Sequence, residues 1–275
     1  MSPRKKSTEP VSAERFLYLK RVKNRKMWIT ITRLLILFLS IGLWELLANV
    51  GIIDSFIMSQ PSRIVKTILN VSQNGLATHM LVTCYETVIG FLLGTLIGTL
   101  IAVALWWSGF FAKVSEPFLV VLNSLPKVAL GPVIIIWAGA GASAIIVMAL
   151  AISLIVTVLE MLNGFRQTDR ELLRMAKTFG ASKRQMFLSI VLPYNLSTIF
   201  NTVKVNIGLS LVGVISGEFL VSKAGLGYLI VYGGQVFQMD LVMTSVLILA
   251  VVAAVMYESV VLLERLVLRL VGHTT

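Results

Sequence analysis

Apolar residues in this chain gather into long uninterrupted windows, not into the narrow stripes of a water-facing helix or the alternation of a half-buried strand. Windows of about 20 residues, the length that crosses ~30 Å of hydrocarbon, run from Trp28 to Val50, Met80 to Trp107, Pro117 to Trp137, Ser143 to Leu162, Leu196 to Gly217 and Leu241 to Leu263. These predict six membrane spans. Each must be helical, because a lone strand leaves backbone groups unpaired in lipid at several kcal/mol apiece. The expected fold class is all-α: a polytopic membrane protein with six transmembrane helices.

Small and breaking residues punctuate these windows. Gly90, Gly94 and Gly98 recur at four-residue spacing and make one ridge along the second span. Such a ridge lets another helix backbone approach closely, either within the subunit or from a second one. Pro126 and Pro132 are expected to break the third span. Between the first two spans, Pro61 is placed to start a short helix, with Ile64, Val65, Ile68, Leu69 and Val71 as its apolar face.

The longest internal interruption runs from Asn163 to Pro193 and reads as two short helices around a glycine turn. Thr168 and Glu171 have the spacing of a capping box, in which each side chain takes a free backbone donor at a helix start. Leu172, Leu173, Ala176 and Phe179 give an apolar face, and Gly180 supplies the left-handed stop. Ser182 and Gln185 form a second capping box, followed by Met186, Phe187, Ile190 and Val191 before Pro193. Arg170, Arg174, Lys177, Lys183 and Arg184 surround the turn, so the segment is a stiff, basic knuckle.

Composition supports the membrane reading. Of the 275 residues, 57% are hydrophobic and 13% charged, about half the usual charged share of ~25%; the chain cannot clothe itself in charge. Its formal net charge of +11 could suggest a nucleic-acid partner. The positions of the cations exclude that: Arg4, Lys5, Lys6, Arg15, Lys20, Arg21, Lys23, Arg25, Lys26 and Arg33 precede or open the first span, and most others fall on segments that an even number of spans returns to the same side. By the positive-inside rule that side is cytoplasmic, so both termini are expected there. The first span is too long for a signal core of ~7–15 residues and reads as an anchor. Cys84, the single cysteine, allows no internal disulfide and reads as a small packed side chain.

Ionisable residues inside spans are the default functional candidates, each costing roughly 2.5–3.5 kcal/mol at a helix centre unless paired or hydrated. Glu160 and Glu258 lie near inner ends, Glu45 and Glu86 toward outer ends, where they reach the interface or pair within the bundle. Lys127 follows the break at Pro126, and Lys204 sits in a span with the polar residues Asn195, Ser197, Thr198, Asn201, Thr202 and Asn206. Two readings stand for these lysines: they line a cavity that favours an anion, or they pair with glutamates for stability. Glu218, before Gly225 and Gly227, either contacts an external partner or gate, or caps a helix at a turn.

At the knuckle the residues carry a family resemblance. The run Arg174, Met175, Ala176, three residues, Gly180, nine residues, Ile190, Val191, Leu192, Pro193 resembles the signature loop of ABC-importer permease subunits, Glu-Ala-Ala, three residues, Gly, nine residues, Ile-x-Leu-Pro. It departs at Arg174, where the signature has Glu, and at Met175, where it has Ala. Pro61-Ser62, Pro126-Lys127 through Ala129-Leu130 to Pro132 and Trp137, and Gly217-Glu218 with Gly225-Leu226-Gly227 are similar to the nitrate/sulfonate/taurine branch, so the likeness covers nearly the whole chain from about Trp28.

The resemblance implies a type I ABC importer permease fold in the cytoplasmic membrane of a prokaryote. Its parts would be a basic cytoplasmic segment at 1–27, a six-helix permease domain at 28–266 with a coupling loop at 164–192, and a cytoplasmic tail at 267–275. It further implies a homodimer, two separate ATP-binding subunits that hold ATP and Mg, and an extracytoplasmic solute-binding protein. This chain itself would bind no cofactor. Arg174, Met175, Ala176, Lys177, Gly180, Ala181, Ser182 and Pro193 are then the ATPase-coupling residues, and Lys127, Asn201, Lys204, Asn206 and Glu218 the candidates for the substrate path. The solute is expected to be a small anion of the sulfonate, nitrate or taurine type, or alternatively a heterocyclic vitamin precursor such as a thiamine pyrimidine. A self-sufficient secondary transporter or channel is the competing class, but such folds often carry matched halves and none is visible here. An enzyme is disfavoured: His79 and His273 have no metal-ligand spacing, and neither a nucleophile-base motif nor a phosphate loop is present, so no catalytic or metal site is expected.

Overall fold

The computed structural model describes residues 13–73 and 75–270, entirely helical in its regular elements. The expected polar start and the end of the tail, including His273, lie outside the described residues. The chain divides into two compact units, Met1–Val65 and Lys66–Thr275.

In the first unit, α1 (Ala13–Asn49) is one continuous helix, with its apolar stretch at Lys20–Asn49. The basic segment is therefore, from Ala13 onward, the opening of the same helix as the first span. A turn at Gly51, with φ of 82°, leads to the single-turn α2 (Ser55–Met58), whose first turn is capped by Asp54. Pro61 then starts α3 (Pro61–Gln73), as its fixed φ favours. Glu45 takes part in that start: its Oε2 accepts from the Ser62 backbone N–H at 3.0 Å, so a span carboxylate caps the helix that follows.

The second unit is built on three helices, α4 (Leu76–Trp107), α7 (Ala142–Arg166) and α11 (Leu196–Val221), with α7 between the other two. Small residues set their separation. A Cβ on Gly90 would lie 2.6 Å from Ala149 Cβ, and one on Gly98 2.6 Å from Thr157 Cβ; Gly94 faces Ser153. The glycine ridge is thus filled from within this subunit. From the other side, Gly213 lies against the backbone of Ala149 and Gly217 against that of Ile145. Thr87, Ser153 and Thr157 donate their hydroxyls to carbonyls one turn back, which satisfies these donors within their own helices.

The third expected span is not one rod. α5 (Gly109–Ser124) ends before Pro126, one 3-10 turn (Lys127–Leu130) follows, and α6 (Gly131–Ala138) leaves at 84°. The window Pro117–Trp137 is therefore a bent pair of short helices, and the described residues contain five full-length apolar helices, or six spans if the pair counts as one. Only Pro126 makes the break. Pro132, expected to be a second breaker, lies in the first turn of α6, where no intrahelical donor is lost.

The knuckle follows α7 as α8 (Arg170–Thr178) and α9 (Lys183–Met186), then a π-turn over Phe187–Val191 and the short α10 (Leu192–Tyr194). After α11 come α12 (Leu226–Gln235) and α13 (Met239–Leu270). Cys84 is packed beside Leu226, Leu229 and Val252, a free thiol in an apolar cluster.

Candidate functional site

The knuckle is built by local chemistry and then tied down at its base. Its first cap differs from expectation. Asp169, not Thr168, accepts from the Glu171 N–H, at 2.8 Å. Thr168 is buried and its hydroxyl oxygen accepts from Asn195 Nδ2 at 2.8 Å, while the same Nδ2 also donates to the Val191 carbonyl. Thr168 and Asn195 therefore clamp together the two ends of the segment. The second cap is as expected: Gln185 N–H donates to Ser182 Oγ at 3.3 Å, and Ser182 N–H to Gln185 Oε1 at 2.8 Å.

Gly180 turns the chain with φ of 78°, in open space, and Ala181 N–H closes back on the Ala176 carbonyl at 3.0 Å. The tip is exposed, with Phe179 at 85%. Between the two helices lies a concavity of about 510 Å³, lined by Met175, Ala176, Phe179, Gly180, Ala181, Gln185, Met186, Ser189 and Ile190. Arg174 and Lys177 stand beside a second hollow with Trp106, Leu173, Lys183 and Met186. Arg170, Arg174 and Lys177, at i, i+4 and i+7, form one basic helix face.

Below the tip, Phe187 roots the knuckle. Its ring lies 5.0 Å from Trp106 of α4 and 5.4 Å from Phe165 of α7, among Ala102, Met161, Leu162 and Val191. Lys183 Nζ donates to the Trp107 carbonyl at 3.2 Å and so satisfies the end of α4. Arg166 pairs with Glu116 of α5 at 3.1 Å. Pro193 follows the π-turn in the first turn of α10, where its missing N–H costs no intrahelical donor.

The candidate path residues separate by environment. Lys204 Nζ is 2.6 Å from Glu264 Oε2 of α13, both side chains only 16% exposed, and also reaches Asn201 Oδ1 at 3.4 Å. Asn206 points into the three-helix core, donating to Thr95 of α4 at 3.2 Å and to Thr157 of α7. Lys127 Nζ donates to the Asn123 carbonyl at 2.9 Å, satisfying an acceptor freed where α5 breaks. Asn201 lies on the exposed face of α11 that continues through Val205, Gly208 and Val212. Glu160 is exposed within two turns of the end of α7, whereas Glu258, expected near an inner end, is exposed in the body of α13, more than three turns before Leu270.

Glu218 is buried beside α12. Its Oε1 accepts from Thr83 Oγ1 at 2.6 Å and its Oε2 from the Gly227 N–H at 2.5 Å. Thr83 and His79, which the hydropathy pattern did not single out as polar contacts, complete this end: Leu226 N–H donates to Thr83 Oγ1 at 2.8 Å and Gly225 N–H to His79 Nδ1 at 3.0 Å. The signal that could have found them is the recurrence His79, Thr83, Glu86, Thr87, one polar face on an apolar helix. Among the described residues, no group of three or more His, Cys, Asp or Glu is arranged to hold a metal ion.

A multi-pass helical bundle with a clamped, glycine-turned knuckle defines the class as a polytopic all-α membrane protein. Residues 94–273 match the family described as binding-protein-dependent transport system inner membrane component. The chain belongs to this family, the permease subunits of ABC importers that take a small solute from a binding protein. It is 29% identical over 227 residues to a probable ABC transporter permease protein of Haemophilus influenzae, covering 82% of this chain and 92% of that one. It is 30% identical over 236 residues to a permease protein of Escherichia coli provisionally named for aliphatic sulfonates transport, SsuC, covering 84% and 90%. A riboflavin transport system permease protein, RibX, of Chloroflexus aurantiacus is 28% identical over 250 residues, covering 90% and 93%. Among solved structures, an inward-facing MetNI methionine ABC transporter chain shares the fold, with a TM-score of 0.61 at 18% identity over 73% of this chain and 96% of that one.

Proposed function

We propose that two copies of this chain form the translocation path for a small anion of the sulfonate, taurine or nitrate type, in the cytoplasmic membrane of a prokaryote. Two separate ATP-binding subunits, which hold ATP and Mg, drive it, and an extracytoplasmic binding protein supplies the solute. One observation carries the coupling part of this reading: the knuckle protrudes with an exposed tip yet is rooted in α4 and α7 through Phe187 and continuous with α7 and α11. Arg174, Met175, Ala176, Lys177, Gly180, Ala181 and Ser182 are the contact surface for the ATPase, and Pro193 belongs to the root. Closure of the two ATPases around ATP displaces both knuckles and moves the bundle between inward-facing and outward-facing states, a population shift between two arrangements. The basic knuckle and the basic opening of α1 face the cytoplasm, by the positive-inside rule.

The anion assignment rests on the sulfonate relative at 30% identity and on a taurine transport system permease protein, TauC, of Escherichia coli at 20%. Lys127 is the cation best placed to attract such a solute, since Lys204 is neutralised by Glu264. Asn201 lines the path on the open face of α11, and Asn206, Lys204 and Glu218 hold that helix in place from behind. A second reading follows from the riboflavin relative and from a formylaminopyrimidine transport permease protein, ThiX, of Halalkalibacterium halodurans at 24% identity: a heterocyclic solute.

The test is reconstitution in liposomes with the cognate ATPase and binding protein. ATP-dependent uptake of an alkanesulfonate, taurine or nitrate, absent when the ATPase is omitted, supports the proposal. Uptake of riboflavin or a formylaminopyrimidine in their place transfers the assignment to the second reading, and uptake by this chain alone overturns the coupling assignment.

A further inference from the structure

A helix beginning inside a membrane protein leaves four backbone donors without intrahelical partners. At α12 three of them are taken by side chains of other helices, and the fourth faces one of the same side chains. Gly225 N–H goes to His79 Nδ1, Leu226 N–H to Thr83 Oγ1 and Gly227 N–H to Glu218 Oε2, with Tyr228 N–H facing the same carboxyl. The acceptors come from α4 and α11, so the first turn of α12 is fastened to two other helices at once.

The same carboxyl has a neighbour of its own kind. Glu86 of α4 is 3% exposed and its carboxyl lies beside that of Glu218, itself 2% exposed, close enough for the two to share a hydrogen bond. A hydrogen bond between two carboxyl groups exists only when one of them carries a proton, because an ionised carboxylate can only accept. The groups around Glu218 decide which one. Thr83 O–H donates to one of its oxygens and Gly227 N–H to the other, with Tyr228 N–H facing the same carboxyl, which makes Glu218 the acceptor, while Glu86 Oε2 has no partner at all. The other titratable side chains at this place are His79 and Cys84 of α4 and Tyr228 of α12, and His79 accepts at Nδ1, stacked on the Tyr228 ring at 5.8 Å. Among the described residues, neither carboxyl is ion-paired with a lysine or arginine.

We propose that Glu86 and Glu218 form a one-proton site: Glu86 holds the proton and donates it to Glu218, and Glu218, as the carboxylate, closes the first turn of α12 onto α4. Gly225 and Gly227 exist to admit that carboxylate. A Cβ on Gly227 would lie 2.7 Å from Glu218 Oε2, and one on Gly225 would enter the carboxyl itself. The site is a latch at the bundle end opposite the knuckle, since Thr83 and Trp107 on α4 are separated by about 36 Å of helix at 1.5 Å per residue. Its bearing on transport rests on the permease reading, but its chemistry is measured without transport.

Infrared spectroscopy of the purified permease complex reads the site directly. The wild-type protein should show the C=O stretch of a buried protonated carboxylic acid at neutral pH, and Glu86→Gln should lose it while assembling normally, because its amide Nε2–H donates from the same place. In Glu218→Gln, hydrogen exchange at Gly225–Tyr228 should quicken about tenfold or more, the loss of a hydrogen bond to a charged group. Thr83→Val provides the same readout if Glu218→Gln does not assemble. Absence of the band from the wild type, its persistence in Glu86→Gln, or unchanged exchange in the Glu218 or Thr83 variant would overturn the proposal.

Discussion

The two ends of the bundle use the same backbone device for opposite purposes. Gly180 at the knuckle and Gly225 before α12 both take positive φ, 78° and 119°. At Gly180 nothing lies within 4 Å of a would-be side chain, whereas at Gly225 the Glu218 carboxyl fills that space. Charge divides in the same way: cations stand exposed around the knuckle, and two acids are buried at the far end. A turn that stands in open space is shaped by conformation alone. A turn that must hold helices together in lipid is shaped by what is packed into it.

Substitutions can break this contrast in graded steps. Gly225→Ala combines backbone strain with collision against a buried carboxylate, and should remove nearly all monodisperse protein from detergent extracts on size-exclusion chromatography. Lys204→Met leaves Glu264 buried without its partner and should cost about 3 kcal/mol, read as a fall in thermal stability; the double variant Lys204→Met, Glu264→Met should recover most of it. Gly180→Val meets no neighbour and should cost only about 2 kcal/mol of left-handed strain, leaving assembly intact while ATP-driven uptake falls to background. Normal uptake by that variant would remove the knuckle from the coupling assignment. Lys127→Met loses a contact to one freed carbonyl at the end of α5, worth about 1 kcal/mol; the anion reading expects its KM for solute to rise several-fold with little change in stability.

How far the sequence could be read depended on how local the deciding interaction was. The long spans, the helix at Pro61, the box of Ser182 and Gln185 and the turn at Gly180 are set by residues within a few positions of one another, and all are visible in order along the chain. Thr168 shows where local reading fails: two neighbouring residues could cap α8, and Asn195, 27 residues away, engages Thr168 and leaves the cap to Asp169. Pro126 marked the break in the third span, but its 84° angle is a tertiary property. Lys204 was conspicuous as a charge in an apolar window and Glu218 as one at its edge. Their partners, Glu264 and Glu86, lie on other helices, and hydropathy carries no information about which faces meet.

The small-residue packing of α4, α7 and α11 has a mechanical consequence. Where Gly90, Gly98 and Gly213 bring a neighbouring helix into direct contact, no long side chain remains that could change rotamer and absorb a displacement. Under the coupling proposed above, a push at the knuckle would be delivered into α7 and α11 together, because the Thr168–Asn195 clamp ties their ends. At those glycine contacts the helices have little to cushion it with, so under the proposed coupling they would move as one plate, and a displacement at the knuckle end would carry to the end at Glu218.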